Sequence, residues 1–167
     1  MKAVLQMFWR ICLLRQSPGH VPTQAWFVVA VVVANLLTSV IVSLSLNLDV
    51  SPIAVVTRVV VTLATTAALV WLATYLREFP TRFLGTLTAL FGCDLILSAI
   101  FGILSPIAAQ LGDQALSFLW LVYTIWSLTV SGFILAQALS VRVGIGVLIA
   151  LGIAILSVAT SQTAIGG

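Results

Sequence analysis

WFVVAVVVANLLTSVIVSLSLNL, residues 26–48, contains no charged side chain and decides the fold of this chain. A helix that crosses the hydrocarbon core of a membrane needs about 20 consecutive apolar residues. Four further apolar runs follow at 53–75, 83–104, 115–138 and 143–165. The sequence therefore predicts an all-α fold, a polytopic membrane protein with about five transmembrane helices. These helices form one bundle over 23–167, preceded by a separate N-terminal segment over 1–22.

The composition agrees with a chain that lies within a membrane. Hydrophobic residues make up 62% of the chain and charged residues only 7%, whereas a soluble domain carries roughly 25% charged residues. So few charges exclude a water-covered globular surface. Continuous apolar runs favour helices over a β-barrel, whose strands alternate. The net charge is +3, but the basic residues are dispersed, so the lipid bilayer is the expected partner and nucleic acid is not.

Residues 2–16 predict an amphipathic helix ahead of the first span. Lys2, Gln6 and Arg10 recur every four residues and form a polar stripe on one face. A basic helix of this kind lies in the membrane interface. Its expected membrane anchors are Lys2, Trp9, Arg10 and Arg15. The alternative is that the same helix packs against the bundle.

The distribution of charge between the loops predicts the orientation. With the N-terminus inside, one side of the membrane holds the cations Lys2, Arg10, Arg15, Arg77, Arg82 and Arg142. The connections on the other side hold Asp49 and Asp113. Lys and Arg concentrate in cytoplasmic loops. We therefore expect a plasma membrane protein, in a bacterial inner membrane, with a cytoplasmic N-terminus and the C-terminus on the opposite side.

Two charged residues, Arg58 and Asp94, fall within predicted spans. A charge at the bilayer centre costs roughly 2.5–3.5 kcal/mol on insertion scales, so it normally faces the bundle interior and finds a partner. One interpretation is an Arg58–Asp94 pair that holds spans two and three together, and we prefer it. The other is a proton or ion relay at Asp94. Arg58 could also extend to the outer headgroups or pair with Asp49.

Smaller polar and glycine or alanine side chains follow helical spacing. Asn35 and Ser39 share a face of the first span, and Asp94 and Ser98 share a face of the third. Such faces form interhelical hydrogen bonds or line a hydrated path, and packing is the preferred interpretation. In the fifth span the small residues at every fourth position are Gly146, Ala150 and Ala154. Small residues at this spacing let helices approach closely, either within the bundle or against a partner.

The chain offers few residues for catalysis or cofactor binding. Its one histidine, His20, is in a predicted turn. Cys12 lies in the N-terminal segment and Cys93 within a span, so we expect no disulfide between them and no metal site. No cofactor, metal or catalytic residue is predicted, and the expected function is not enzymatic.

The segment Ser51-Pro52-Ile53-Ala54 resembles Ser105-Pro106-Ile107-Ala108. The matching positions after spans one and three have two interpretations. One is a duplicated helical hairpin, and the preferred one is a chance match in a sequence of such apolar composition. An N-terminal amphipathic segment, a Pro-containing turn (17–22) and five closely spaced spans resemble the small bacterial members of the Yip family, the Ypt-interacting proteins. The resemblance implies an integral membrane protein with no catalytic residues. Eukaryotic members have a long hydrophilic N-terminal tail that this chain lacks, so a GTPase-binding role is not implied.

Three functions are compatible with these features. The preferred hypothesis is an accessory or scaffold subunit that binds another integral membrane protein or complex through its helices, with Gly146, Ala150 and Ala154 as the candidate contact face. The second is a small oligomeric channel or transporter that uses Asp94 and the polar helix faces. The third is a membrane-shaping or lipid-binding protein that acts through the N-terminal helix.

Overall fold

A computed structural model describes residues 2–15, 24–46 and 51–163 of the chain. The helices are α1 (Lys2–Cys12), α2 (Ala25–Leu46), α3 (Pro52–Leu76), α4 (Phe83–Gln110), α5 (Asp113–Leu139) and α6 (Val143–Thr163), with a 3₁₀ turn at Pro80–Arg82. The described residues contain no strand, and α2 to α6 are long and apolar enough to cross a membrane. The all-helical class is confirmed. The predicted turns at 17–22 and 47–50, with His20 and Asp49, lie outside the described residues, as does the end of the fifth span.

The start of α3 and the junction of α4 with α5 follow from local chemistry. Ser51 caps α3, because its hydroxyl accepts the backbone N–H of Ala54 at 3.3 Å, and Pro52 occupies the first turn. Gly112 separates α4 from α5 with φ +110°, in a region that side chains rarely adopt.

Helix α4 is longer than the sequence predicted. The expected connection over 105–114 is helical as far as Gln110, with Pro106 inside the helix. Proline lacks the N–H that would bond the carbonyl of Gly102, and the Ser105 hydroxyl donates to that carbonyl instead, at 3.3 Å. The two Ser-Pro segments therefore have different positions, since Ser51 caps a helix and Ser105 lies within one.

The five long helices form a closed ring. In spatial order α2 packs on α4, α4 on α5, α5 on α6, α6 on α3, and α3 on α2. The first part of α4 is the most enclosed element, because residues 86–93 are all buried. Consecutive residues of a helix point in all directions. Neighbouring elements therefore cover this part of α4 on every side.

Helix α1 supplies part of that cover. Phe8, Ile11 and Cys12 are buried, whereas Trp9 and Arg10 are exposed. The Phe8 ring fills the space beside Gly92 of α4 and stacks on Phe27 of α2, with ring centroids 6.3 Å apart. Of the two placements that the sequence left open for this helix, the contacts show packing against the bundle.

Candidate functional site

Three helices meet at Asp94. The side-chain nitrogen of Asn35 in α2 donates to the Oδ2 atom of Asp94 in α4 at 2.9 Å. The Tyr123 hydroxyl of α5 lies 3.5 Å from Oδ1 of the same carboxyl group and 3.2 Å from the Ser98 hydroxyl. These four residues, Asn35, Asp94, Ser98 and Tyr123, are called the polar cluster below.

The register of the helices brings the cluster together at mid-depth. Asn35 lies about 15 Å along α2 from its first residue, and Asp94 about 17 Å along α4. The two helices run in the same direction, so these residues are level, and each lies beyond its helix start by about half of the roughly 30 Å thickness of a hydrocarbon core. Ser98 lies one turn beyond Asp94 on the same face, as its spacing predicted.

Asn35 is the most enclosed member of the cluster, with 0% of its surface exposed. Its Nδ2 atom donates to Asp94 and also to the backbone carbonyl of Phe91, at 3.1 Å. Its Oδ1 atom has no hydrogen-bond partner. A buried acceptor without a partner costs about 1–3 kcal/mol. The cluster thus contains an acceptor that an additional donor or a cation would stabilise.

The preferred Arg58–Asp94 pair does not form in this structure. The hydrogen-bond partners of the Asp94 carboxyl group are Asn35 and Tyr123. Arg58 is exposed on α3, roughly 9 Å from Pro52 along the helix. Extension of this side chain to the headgroups, the alternative that the sequence left open, stays a prediction. The Asp94 carboxyl group is thus contacted from α2, through Asn35, and not by Arg58 of α3.

The three small residues predicted on one face of α6 lie partly inside the bundle and partly on its exterior. Gly146 and Ala150 are buried, and Ala154 is exposed. A Cβ atom at Gly146 would overlap the carbonyl oxygen of Gly132 and lie 2.7 Å from the Cβ atom of Ala136, both in α5. The close approach predicted at Gly146 therefore serves the α5–α6 contact.

The two cysteines are neighbours, which the sequence did not predict. The Cys12 thiol lies 3.9 Å from the carbonyl oxygen of Cys93, and the Cys93 thiol lies 3.9 Å from that of Phe8. Both thiols are free and buried. Their proximity depends on how deeply α1 packs against α4, and no local pattern in the sequence encodes that depth.

Hydroxyl pairs between α3 and α6 were also missed. Thr66 bonds Ser157 at 3.0 Å, and Thr65 bonds Thr160 at 3.2 Å. Ser157 and Ser161 are buried. The spacing of the hydroxyl residues in α6 could have predicted that they share a contact face, since residues three and four apart lie on the same side of a helix.

The predicted membrane anchors are partly described. Trp9, Arg10 and Arg15 are exposed, whereas the Lys2 side chain lies outside the described residues. Arg82 has a structural role as well as a charge, because its guanidinium donates to the Ala138 carbonyl at 3.3 Å and to the Ser140 hydroxyl at 3.0 Å. It thereby ties the start of α4 to the end of α5.

Within the part of the chain that the structure describes, no group of three or more His, Cys, Asp or Glu residues could hold a metal ion. The polar cluster instead offers oxygen atoms from a carboxylate, an amide and two hydroxyl groups. Comparisons with protein-family models, curated proteins and solved structures found no match to this chain. The resemblance to the Yip family stays a prediction.

Proposed function

We propose that this chain is an integral protein of a bacterial inner membrane, with a cytoplasmic N-terminus. The five long apolar helices support insertion into a membrane. Successive helices cross in alternate directions, so Arg77, Arg82 and Arg142 share one end of the bundle and Asp113 lies at the other. This is the charge distribution of a protein whose Arg-rich end is cytoplasmic.

We further propose that the protein is a small channel or transporter for a proton or monovalent cation, with Asp94 as the binding group. The observation that carries this proposal is a mid-depth carboxyl group whose partners, Asn35 and Tyr123, are both neutral. An isolated carboxylate is costly in an apolar interior unless a positive species neutralises it. An ionisable residue inside a membrane bundle commonly marks an ion or proton path.

The test is ion flux in liposomes that contain the purified protein. Asp94→Asn keeps the size of the side chain but removes its charge, and we expect it to abolish proton and cation flux. Asp113→Asn is the matched control, because the same substitution there lies at the exposed first residue of α5. Flux that is equal in both variants and in the unaltered protein would rule out Asp94 as the binding group.

Binding to another membrane protein is the second candidate, and Trp126 favours it. This residue is the midpoint of α5, and its side chain is 41% exposed. Tryptophan prefers the membrane–water interface and the indole N–H favours a polar partner, so an exposed Trp at mid-depth suits a protein contact better than lipid.

The composition of the particle extracted gently from its native membrane tests this candidate. A foreign subunit present in stoichiometric amount, and lost in Trp126→Leu but retained in a Trp71→Leu control, would support it. A particle that contains only this chain would contradict it. The third hypothesis, lipid binding through the N-terminal helix, rests on the exposed Trp9 and Arg10 and stays a prediction.

A further inference from the structure

The oxygen atoms of the polar cluster point to a specific ligand: we propose that the cluster binds a sodium ion. This inference rests on the proposed function and names the ion that the same site takes. It depends on the donor atoms, on the charge of the site and on the unpartnered oxygen of Asn35.

The donor atoms suit a hard cation. The cluster provides the two carboxylate oxygens of Asp94, the amide oxygen of Asn35 and the hydroxyl oxygens of Ser98 and Tyr123. Hard cations are bound through oxygen, whereas soft metals select thiolates. The thiol of the adjacent Cys93 lies against the carbonyl oxygen of Phe8 and takes no part in the cluster.

The charge of the site suits a monovalent ion. Asp94 is the one acidic residue of the cluster, and Arg58 is not among its partners. One carboxylate neutralises one positive charge, whereas a divalent ion would keep an uncompensated charge in an apolar surrounding, where charges are expensive. The site therefore favours Na⁺ over Mg²⁺ or Ca²⁺.

Asn35 distinguishes a metal cation from a proton. Its Nδ2 atom is occupied by Asp94 and by the Phe91 carbonyl, which fixes the orientation of the amide and leaves Oδ1 without a partner. A proton on Asp94 would neutralise the carboxyl group but would not supply a partner for Oδ1. A sodium ion coordinated by the carboxylate could also be coordinated by Oδ1, and it would then supply the partner that this oxygen lacks.

Thermal unfolding of the purified protein in detergent tests this inference. We compare NaCl with choline chloride at equal ionic strength, since a ligand that binds only the folded state raises its stability with concentration. We expect NaCl to raise the unfolding temperature by several degrees, with saturation, and choline chloride to leave it unchanged. Asp94→Asn and Asn35→Leu should lose the shift, and Asp113→Asn should keep it.

Tyr123→Phe provides a second variant if Asn35→Leu does not fold, and it should need a several-fold higher NaCl concentration for the same shift. Equal unfolding temperatures in the two salts, or a sodium shift that persists in Asp94→Asn, would overturn the inference. Proton flux that still depends on Asp94 would then support the proposed function, with the proton and not sodium as the transported ion. If neither a sodium-dependent shift of the unfolding temperature nor an Asp94-dependent flux is found, both proposals are wrong.

Discussion

Tyr123 contacts the Asp94 carboxyl group through its hydroxyl and a neighbouring aromatic side chain through its ring. Its hydroxyl lies between Asp94 and Ser98, and its ring packs against Phe101 with centroids 4.8 Å apart. The ring and the hydroxyl therefore have separable roles, since the ring fills space and the hydroxyl belongs to the polar cluster. Phenylalanine at this position keeps the first role and removes the second.

We expect Tyr123→Phe to lower ion flux several-fold while the bundle stays folded. Loss of one hydrogen-bonding group should cost roughly 1 kcal/mol of the free energy of unfolding. Tyr75→Phe is the matched control, because Tyr75 is exposed and stacks on Trp71. Initial flux rates and unfolding temperatures of both variants test this. Equal flux in the two variants would show that the Tyr123 hydroxyl has no part in the site.

Polar residues inside apolar spans can be recognised from the sequence, but the residues that they contact cannot. Asp94 and Asn35 were each recognisable as polar positions inside spans, and the helical spacing of Asp94 and Ser98 was correct. The partners of Asp94 could not be predicted, because they depend on which residues of α2 and α5 pack level with it. Arg58 was equally recognisable, yet it lies on the exterior. Sequence identifies such candidates, and packing decides which of them meet.

At the scale of helices, the contact between α5 and α6 depends on two glycines that face each other. A Cβ atom at Gly132 would lie 2.6 Å from the Cα atom of Val147, and one at Gly146 would overlap the carbonyl oxygen of Gly132. Close backbone approach of this kind drives helix association in membranes, where lipid removes the hydrophobic drive between helices.

We expect Gly146→Ala to destabilise the protein, because the added methyl group forces the two helices apart. Overpacking of this kind typically costs about 1–3 kcal/mol. Gly152→Ala in the same helix is the control, since a Cβ atom there meets no atom within 4 Å and alanine has the higher helix propensity. The unfolding temperature should fall for the first variant only. An equal change in both would contradict the described α5–α6 contact.

Oxidative cross-linking of Cys12 tests the placement of α1 against α4. Because Cys12 lies beside Cys93, a small oxidant such as copper phenanthroline should link the two thiols within one chain. The link forms as both thiols lose a proton and the oxidant takes up two electrons. Mass spectrometry of the digested protein detects it, and Cys12→Ser should abolish it. A helix that lies flat in the membrane interface would hold the thiols apart and give no intramolecular link.

Local patterns predicted the helices better than their ends and contacts. The apolar runs predicted five long helices, since hydropathy is a property of each segment alone. The extension of α4 past Ser105 was missed, because a proline normally ends a helix and a serine hydroxyl compensates here for its missing N–H. The position of α1 at the depth of Cys93 was missed for another reason, since it depends on the space beside Gly92.

In the molecule as a whole, the ring of helices buries α4 more completely before Asp94 than directly after it. The part of α4 that precedes Asp94, residues 86–93, is buried, whereas Asp94 itself and the residues that follow, 95–97, are partly exposed. In the proposed orientation the buried part is the cytoplasmic half. Residues 86–93 are thus covered by neighbouring elements on the side of Asp94 that this orientation places toward the cytoplasm.

The proposed orientation predicts which engineered cysteines react from outside the cell. In a protein with Cys12→Ser and Cys93→Ser, Gln114→Cys should react with a membrane-impermeant thiol reagent and Thr81→Cys should not, although both positions are exposed. Labelling after membrane disruption should reach both and serves as the control. Labelling of Thr81→Cys in intact cells would reverse the orientation.

Under the proposed function, Asp94 binds a cation inside the membrane. Transient currents recorded from protein-containing vesicles on a solid-supported membrane test it most directly, because charge that enters the bundle moves across part of the membrane. A sodium pulse should produce a current in the unaltered protein and in Asp113→Asn, and none in Asp94→Asn. Currents of equal size in all three proteins, or in none of them, would contradict the claim.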